Sequence, residues 1–329
     1  PPSPPAAPTA PAGRAAVAAT LPGADARLVV IVGPCSIHDV TAATDYAQRL
    51  AALKPKLDDA LVLVMRVYFE KPRTTVGWKG LINDPDLNST FNVNKGLHTA
   101  RSLLLKVNEL GLPAATEFLD TITPAYVSDL ISWGAIGART SESQIHREMV
   151  SGLAMPVGYK NGTSGDVQVA VDACGSSIRP HAYLGVTEDG TAAILHSDGN
   201  PHCHLILRGG ANGPNYESQY VTEAGEKMAK GGLAKNIVID CSHGNSKKKF
   251  ENQPLVAEDI AAQITAGGPG ASIKGVMIES HIVEGAQKIG NGTGLTYGQS
   301  ITDACIGWST TEAVLDALAT AVRKRRAGK

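Results

Sequence analysis

Eight short apolar segments recur between residues 28 and 282, and they constrain the fold more than any other feature of the sequence. Each is rich in branched aliphatic residues, and its hydrophobicity runs continuously instead of alternating. Continuous hydrophobicity is typical of parallel strands that are covered on both faces. The segments are LVVIVGPCS (28–36), LVLVMRVYF (61–69), PAATEFLD (113–120), AIGART (135–140), PVGYKNG (156–162), HLILRGG (204–210), NIVIDCSHG (236–244) and GVMIESHI (275–282).

Segments with helical periodicity separate these predicted strands. In the segment 94–111, for example, Leu104 and Val107 share one face, and Gly111 is a natural helix stop. Repeated strand–helix units in a chain of 329 residues predict an α/β fold of the (β/α)8 TIM-barrel type, which we place at residues 27–329.

Two segments fall outside this repeat. Residues 1–26 are rich in proline and alanine, and PPSPPAAPTAPAG contains too many prolines for a helix, so we expect a flexible or loosely docked N-terminal arm. The segment 181–204, before the sixth predicted strand, has the pattern of a β-hairpin that turns at Glu188–Gly190. We therefore expect an inserted hairpin in the barrel.

The overall charge and the cysteines limit the classes of partner and compartment. The formal net charge is −1, so we expect no nucleic-acid partner and no membrane partner, and the RKRR run at 323–326 is interpreted as a solvated helix end. No run of 18 apolar residues predicts a membrane span. The five cysteines form no CxxC pair, which favours a reducing, cytoplasmic location.

Polar side chains stand at the end of every predicted strand, which is where barrel enzymes place their chemistry. They are Cys35, Arg66, Lys71, Arg73, Glu117, Arg139, Lys160, Arg208, His243 and Glu279. Cations that converge on one mouth repel each other unless anions occupy the site. Guanidinium and ammonium groups match phosphate and carboxylate oxygens, so the sequence predicts a multiply anionic, phosphorylated ligand.

A second group of strand-end residues could hold a metal. Cys35, His243, Glu279 and, after the last strand, Asp303 combine a thiolate, an imidazole and two carboxylates. This mixed set suits Mn, Fe, Co or Zn better than Mg or Ca. The four residues lie far apart in the sequence, so only the barrel would bring them together.

Lys160 has an alternative interpretation. A lysine at the end of a middle barrel strand could form a Schiff base with a carbonyl substrate, as in a metal-independent aldolase. Its cationic neighbours Arg139 and Arg208 favour an anion-binding role instead.

Several long motifs resemble the type I 3-deoxy-D-arabino-heptulosonate 7-phosphate (DAHP) synthases of fungi and enteric bacteria. The likeness covers about residues 27–326 in the expected order. The motifs are GPCSIHD (33–39), EKPRTTVGWKGLINDPDL (70–87), GAIGARTSESQIHRE (134–148), GYKNGT (158–163), ILRGG (206–210), DCSHGNS (240–246), MIESH (277–281) and SITDACIGW (300–308).

The resemblance implies a metal-dependent condensation of phosphoenolpyruvate with erythrose 4-phosphate, the first step of the shikimate pathway, in a homodimer or homotetramer. The implied metal ligands are Cys35, His243, Glu279 and Asp303. The implied phosphoenolpyruvate residues are Arg66, Lys71, Gly137, Ala138, Arg139, Lys160 and Arg208. The residues implied for erythrose 4-phosphate are Lys71, Pro72, Arg73, Thr74 and Asp303, and the implied catalytic residues are Lys71, Cys35, His243 and Asp303.

The hairpin corresponds to the aromatic amino-acid feedback site of this family. Ala154 lies in the effector region, where the family often has serine. Gly185 resembles the tyrosine-sensitive fungal form, because phenylalanine-sensitive forms tend to have serine there. A small residue leaves room for the tyrosine hydroxyl, so the resemblance implies tyrosine as the effector.

Two other functions remain open at this point. The octulosonate 8-phosphate synthases share the barrel and the phosphoenolpyruvate chemistry, but the KPRTTVGWKG run and the hairpin favour the heptulosonate enzyme. A non-catalytic phosphate-sensing barrel would need no metal set, so the four candidate ligands argue against it.

Overall fold

A computed structural model describes residues 8–73, 75–187, 189–290 and 292–328. Within these ranges, eight parallel strands close into a barrel, which confirms the predicted (β/α)8 fold. The barrel strands, numbered with the hairpin strands in chain order, are β1 (Leu28–Gly33), β2 (Leu61–Arg66), β3 (Ala114–Glu117), β4 (Trp133–Ile136), β5 (Val157–Lys160), β8 (His204–Leu207), β9 (Ile237–Asp240) and β10 (Ile273–Glu279). The barrel closes where β1 pairs with β10, with Gly33 opposite Glu279.

Helices follow the strands and cover the barrel. They are α1 (Thr9–Thr20), α2 (Val40–Leu53), α3 (Val93–Glu109), α4 (Pro124–Val127), α5 (Gln144–Ser151), α6 (Gln168–Ser177), α7 (Ser218–Lys230), α8 (Gln253–Ala266) and α9 (Trp308–Ala327). As predicted, α3 buries Leu104 and Val107 and ends before Gly111, whose φ of 75° suits glycine. Among the described helices, none has both the length and the apolar character needed to span a membrane.

The core has two layers, and this explains why the strands are apolar throughout. Along β1, Val29 and Ile31 pack inside the barrel together with Trp133 of β4. The alternate residues, such as Val30, pack outward against the helices. A strand that is buried on both faces has no polar face to show, so its hydrophobicity is continuous.

The N-terminal segment differs from the prediction, because Thr9–Thr20 forms a docked helix. Pro11 is tolerated in the first turn, where backbone N–H groups have no acceptor within the helix. Val17 packs into the barrel interior, and the Arg14 guanidinium donates to the carbonyls of Ile131 (2.9 Å) and Ser128 (2.6 Å). Helix α1 therefore covers the amino-terminal end of the barrel.

The inserted hairpin consists of β6 (His181–Val186) and β7 (Ala192–Ser197), which pair antiparallel. Of its predicted turn, Glu188 lies outside the described residues. His204, predicted as the end of the insertion, starts β8. The hairpin contacts the end of α5, where the hydroxyls of Ser151 and Ser197 lie 2.5 Å apart.

Two glycine substitutions test the docking of α1. Replacing a glycine inside a helix with alanine normally raises the free energy of unfolding by about 0.5–1 kcal/mol. At Gly13, however, a Cβ atom would lie 2.4 Å from Ser132 Oγ and 2.7 Å from Pro113 Cβ, whereas at Gly175 in α6 nothing lies within 4 Å. We expect Gly13→Ala to lower the free energy of unfolding by about 1–3 kcal/mol in urea titrations. Gly175→Ala, the control, should raise it, and an equal gain in both variants would contradict the docking.

Candidate active site

A cavity of about 410 Å³ opens at the carboxyl-terminal end of the barrel strands. The predicted site residues that line it are Arg66, Lys71, Pro72, Arg73, Gly137, Ala138, Arg139, Lys160, Arg208, His243 and Asp303. Thr74 lies outside the described residues. Ala154, which is exposed after α5, and Gly185, in the hairpin, are not among the lining residues.

The four candidate metal ligands lie beside this cavity. One ligand atom each from Cys35, Glu279 and Asp303 lies within 4.8 Å of the other two. His243 Nε2 is 3.9 Å from Glu279 Oε1 and 3.9 Å from Asp303 Oδ2. Ligand atoms at roughly 2.0–2.3 Å from a shared ion must lie about 3–4.5 Å apart. The donor set and its spacing therefore fit a divalent transition metal.

The protonation of Cys35 bears on this fit. Burial and the nearby carboxylate of Glu279 raise the pKa of the Cys35 thiol to about 11, and Lys71 opposes the shift. Lys71 Nζ lies 3.2 Å from Cys35 Sγ and also 3.2 Å from the Cys35 carbonyl oxygen. A metal must displace the thiol proton to bind, so the lysine favours the ligating thiolate form.

Arg66 and Glu279 form a buried ion pair between the ends of β2 and β10, the two strands that flank β1. The guanidinium donates to Glu279 Oε1 at 2.9 Å and to the carbonyl oxygen of Pro34 at 3.0 Å, and it lies 3.6 Å from the centre of the Tyr68 ring. Burial alone would raise the pKa of Glu279, but His243 and Arg66 outweigh it and lower the pKa to about 2. Glu279 is therefore an anion that neutralises Arg66 and still faces the metal position.

Asp240 provides the matching buried carboxylate at the end of β9. Its Oδ2 atom accepts a hydrogen bond from Lys160 Nζ at 2.9 Å and lies 2.9 Å from His243 Nδ1, a close contact outside hydrogen-bond geometry. Burial would raise the pKa of Asp240, but His243 and Lys160 together hold it well below its usual value. The sequence prediction missed Asp240, although its position three residues before His243 at a strand end was a usable signal.

Glu117 and the Gly137–Arg139 turn lie side by side in the cavity wall. A Cβ atom on Gly137 would lie 2.2 Å from Glu117 Oε1, so a side chain at this position would displace the carboxylate. Glu117 was recognised as a strand-end residue but was given no role. It lines the cavity as a buried acid among the cations.

Other lining residues were missed because they lie in loops or, for Phe250, at the start of a short 3-10 helix. They are Thr75, Val76, Ser242, Lys248, Phe250, Thr302 and Ala304. Most of them sit beside recognised motifs, but the sequence alone does not show which loop residues turn toward a cavity.

The barrel and this site define a class of protein. Cations at the carboxyl ends of parallel strands, buried carboxylates and a mixed set of candidate metal ligands are typical of an enzyme site for anionic substrates.

Comparison with known proteins identifies the family within this class. The DAHP synthetase I family model matches residues 11–316. The Phe-sensitive phospho-2-dehydro-3-deoxyheptonate aldolase of Escherichia coli K12 is 57% identical over 95% of this chain and 89% of its own length. The phenylalanine-inhibited enzyme of Saccharomyces cerevisiae is 54% identical over 95% of this chain and 86% of its own.

A solved structure agrees with these sequences. The phospho-2-dehydro-3-deoxyheptonate aldolase of Francisella tularensis superimposes with a TM-score of 0.97 at 50% identity, covering 99% of this chain and 94% of that one. The chain therefore belongs to the DAHP synthetase I family, as the sequence motifs predicted. The effectors in the relatives' names are phenylalanine and, for an Enterobacter agglomerans enzyme, tryptophan, so tyrosine sensitivity stays a prediction.

Asp240→Asn tests whether one carboxylate supports both Lys160 and His243. Removing one partner of a buried pair costs about 3–5 kcal/mol, and losing the group that orients a metal-ligating histidine weakens metal binding roughly 10–100-fold. We expect both effects, measured by urea unfolding and by calorimetric titration with Mn²⁺. The control is Asp59→Asn, which removes an exposed partner of Arg323 and should change neither. Wild-type Mn²⁺ affinity in Asp240→Asn would contradict the assignment.

Proposed function

We infer that this chain is a DAHP synthase, which condenses phosphoenolpyruvate with D-erythrose 4-phosphate to give DAHP and phosphate at the first step of the shikimate pathway. The observation that carries this function is the convergence of strand-end cations beside a four-donor metal position in a member of the DAHP synthetase I family.

We propose that phosphoenolpyruvate binds in the inner part of the cavity. The residues proposed to hold it are Arg66, Lys71, Gly137, Ala138, Arg139, Lys160 and Arg208. Because Glu279 and Asp240 neutralise Arg66 and Lys160, those two cations can be buried without a ligand. Arg139 and Arg208 lie nearer solvent and suit the substrate's carboxylate and phosphate.

Erythrose 4-phosphate is proposed to bind over the loop that follows β2. Lys71, Pro72 and Arg73 of this loop line the cavity, and Thr74 of the same run is proposed with them. Asp303 lies on the metal side and is proposed to contact the aldose as well. This arrangement would bring the aldehyde carbon close to carbon 3 of phosphoenolpyruvate.

Cys35, His243, Glu279 and Asp303 are proposed to hold a divalent ion, Mn, Fe, Co or Zn. When bound, such an ion supplies Lewis-acid polarisation of the aldehyde carbonyl.

In the proposed reaction, carbon 3 of phosphoenolpyruvate bonds to the aldehyde carbon, and the carbonyl oxygen takes up a proton. Water adds at carbon 2, giving a hemiketal phosphate, and the bond between carbon 2 and the phosphate oxygen then breaks to release phosphate. Lys160, Arg139 and Arg208 are proposed to stabilise the charge on the departing phosphate, and Lys71 is proposed as a catalytic residue between the two substrates.

The aldolase alternative is less well supported. Lys160 Nζ is engaged with the buried carboxylate of Asp240, which suits a cation more than a neutral amine that attacks a carbonyl. The family match also favours the heptulosonate reaction over the octulosonate one.

The metal proposal predicts loss of turnover in two variants. Phosphate release from phosphoenolpyruvate and erythrose 4-phosphate should fall about 1,000-fold in Cys35→Ala and in His243→Ala, since Lewis-acid stabilisation supplies several kcal/mol. Chelator should reduce the wild type similarly, and the circular dichroism of both variants should be native. The matched control, Cys174→Ala, removes a buried thiol in α6 and should keep its activity. Full activity of Cys35→Ala in chelator would refute the metal site.

We propose feedback inhibition by tyrosine at the hairpin. Gly185 and Tyr183 lie on its inner, half-buried face, and a Cβ atom on Gly185 would lie 2.4 Å from Leu195 Cδ1. A side chain there would crowd this face, so glycine preserves space for a ring that carries a hydroxyl. Ala154 is proposed as a second effector-region residue.

The effector proposal predicts an order of inhibition. Tyrosine should inhibit more strongly than phenylalanine or tryptophan, by about 3–10-fold if its hydroxyl gains one hydrogen bond. Gly185→Ser should weaken inhibition by tyrosine and favour phenylalanine, while uninhibited turnover stays unchanged. Dose–response curves for the three amino acids decide this, and stronger inhibition of the wild type by phenylalanine would refute the choice.

We also propose a homodimer or homotetramer in the cytosol. On the outer face of the hairpin, Leu184 and Ile194 stand opposite each other and are 84% and 66% exposed. Such an apolar pair supports a contact between subunits. The five cysteines are all free thiols, which supports a reducing compartment.

A further inference from the structure

The loop between β9 and α8 holds two consecutive lysines in an unfavourable backbone conformation. Lys247 and Lys248 have φ values of 54° and 59°, in the left-handed region that costs a side-chain-bearing residue about 1–2 kcal/mol. Backbone hydrogen bonds hold this shape: the N–H of Lys248 donates to the His243 carbonyl at 2.8 Å, and that of Lys247 to Gly244 at 3.1 Å.

This conformation turns one particular lysine toward the cavity. Lys248 is among the lining residues, whereas its neighbours Lys247 and Lys249 are not. The inner cations are engaged with protein groups, since Lys160 pairs with Asp240 and Arg66 with Glu279. Lys248 has an exposed side chain and no ion pair or side-chain hydrogen bond to any residue that the structure describes. It is a cation at the cavity mouth whose donors are available to a ligand.

We propose that Lys248 binds the phosphate group of the incoming aldose phosphate at the cavity mouth. This inference rests on the proposed function and adds a specificity residue to it. An ammonium group on a flexible stem suits a phosphate monoester, which accepts hydrogen bonds from many directions. Phosphoenolpyruvate is proposed to fill the inner cavity, so a cation at the mouth serves the substrate that binds over it.

The matched pair Lys248→Asn and Lys249→Asn tests this assignment. Asparagine tolerates the left-handed conformation, so Lys248→Asn removes the charge without adding strain. Both variants remove one positive charge from the same loop, and only Lys248 faces the cavity. Steady-state kinetics of phosphate release at low and high KCl, with each substrate varied in turn, give the readout.

For Lys248→Asn we expect the KM for erythrose 4-phosphate to rise about tenfold, because the variant loses one charge-assisted hydrogen bond to the phosphate. The KM for phosphoenolpyruvate and kcat should change less than twofold, and the KM for erythrose 4-phosphate should depend less on salt. Lys248→Arg should recover most of the affinity, and Lys249→Asn should match the wild type. An unchanged KM for erythrose 4-phosphate, an equal rise for both substrates, or the same effect in Lys249→Asn would overturn the proposal.

A second measurement separates this proposal from the proposed function. If the wild type released no phosphate from the two substrates, the proposed function would fail, and calorimetric titration with inorganic phosphate would then decide the role of Lys248. Weaker phosphate binding in Lys248→Asn than in Lys249→Asn supports a phosphate-binding lysine at the mouth. Equal binding in the two variants refutes it.

Discussion

Charge compensation by two buried carboxylates is the constraint on which the candidate site depends. Asp240 ends β9 and Glu279 ends β10, its hydrogen-bonded neighbour in the barrel. They neutralise Lys160 and Arg66, each at 2.9 Å. A buried charge without a partner costs several kcal/mol, so the barrel could not place these cations at its carboxyl end without the two acids. Cations nearer the mouth, such as Arg73 and Lys248, are more exposed to solvent and suit an anionic ligand.

The same two carboxylates connect the cations of the site with the candidate metal position. Glu279 contacts Arg66 and also lies within 3.9 Å of His243 Nε2, and Asp240 contacts Lys160 and lies beside His243 Nδ1. His243 lies in the tight loop after β9 with a φ of 56°, and its ring lies between the two acids. Metal position and substrate cations are consequently held by one network instead of two independent ones. In the proposed reaction, such a network would place the aldehyde carbonyl and phosphoenolpyruvate side by side.

Much of this arrangement could be predicted from sequence, because strand ends in a barrel share one edge. Cys35 and Glu279 are far apart in the chain, yet the pairing of Gly33 with Glu279 brings them together, as the barrel interpretation requires. Each predicted segment overlaps a strand but extends two to four residues beyond the strand's end. Strands β4 and β10 also begin two residues before their predicted segments, and at β4 the added residue Trp133 packs in the barrel interior. The α1 helix was not predicted, because the prolines of this segment indicate a broken helix. Pro11, however, lies in the first turn of α1, where proline is tolerated. The orientation of Lys248 depends on the left-handed backbone of Lys247 and Lys248. Lysine rarely adopts this conformation, so the sequence does not predict it.

The most direct test of this account is the position of the metal in the protein with phosphoenolpyruvate bound. Anomalous diffraction from crystals grown with Mn²⁺ and phosphoenolpyruvate would locate both groups at once. The account predicts a single anomalous peak bonded to Cys35, His243, Glu279 and Asp303, with the substrate phosphate on the cations of the same cavity. A peak elsewhere, or phosphoenolpyruvate bound in an active crystal with no metal at these four residues, would contradict it.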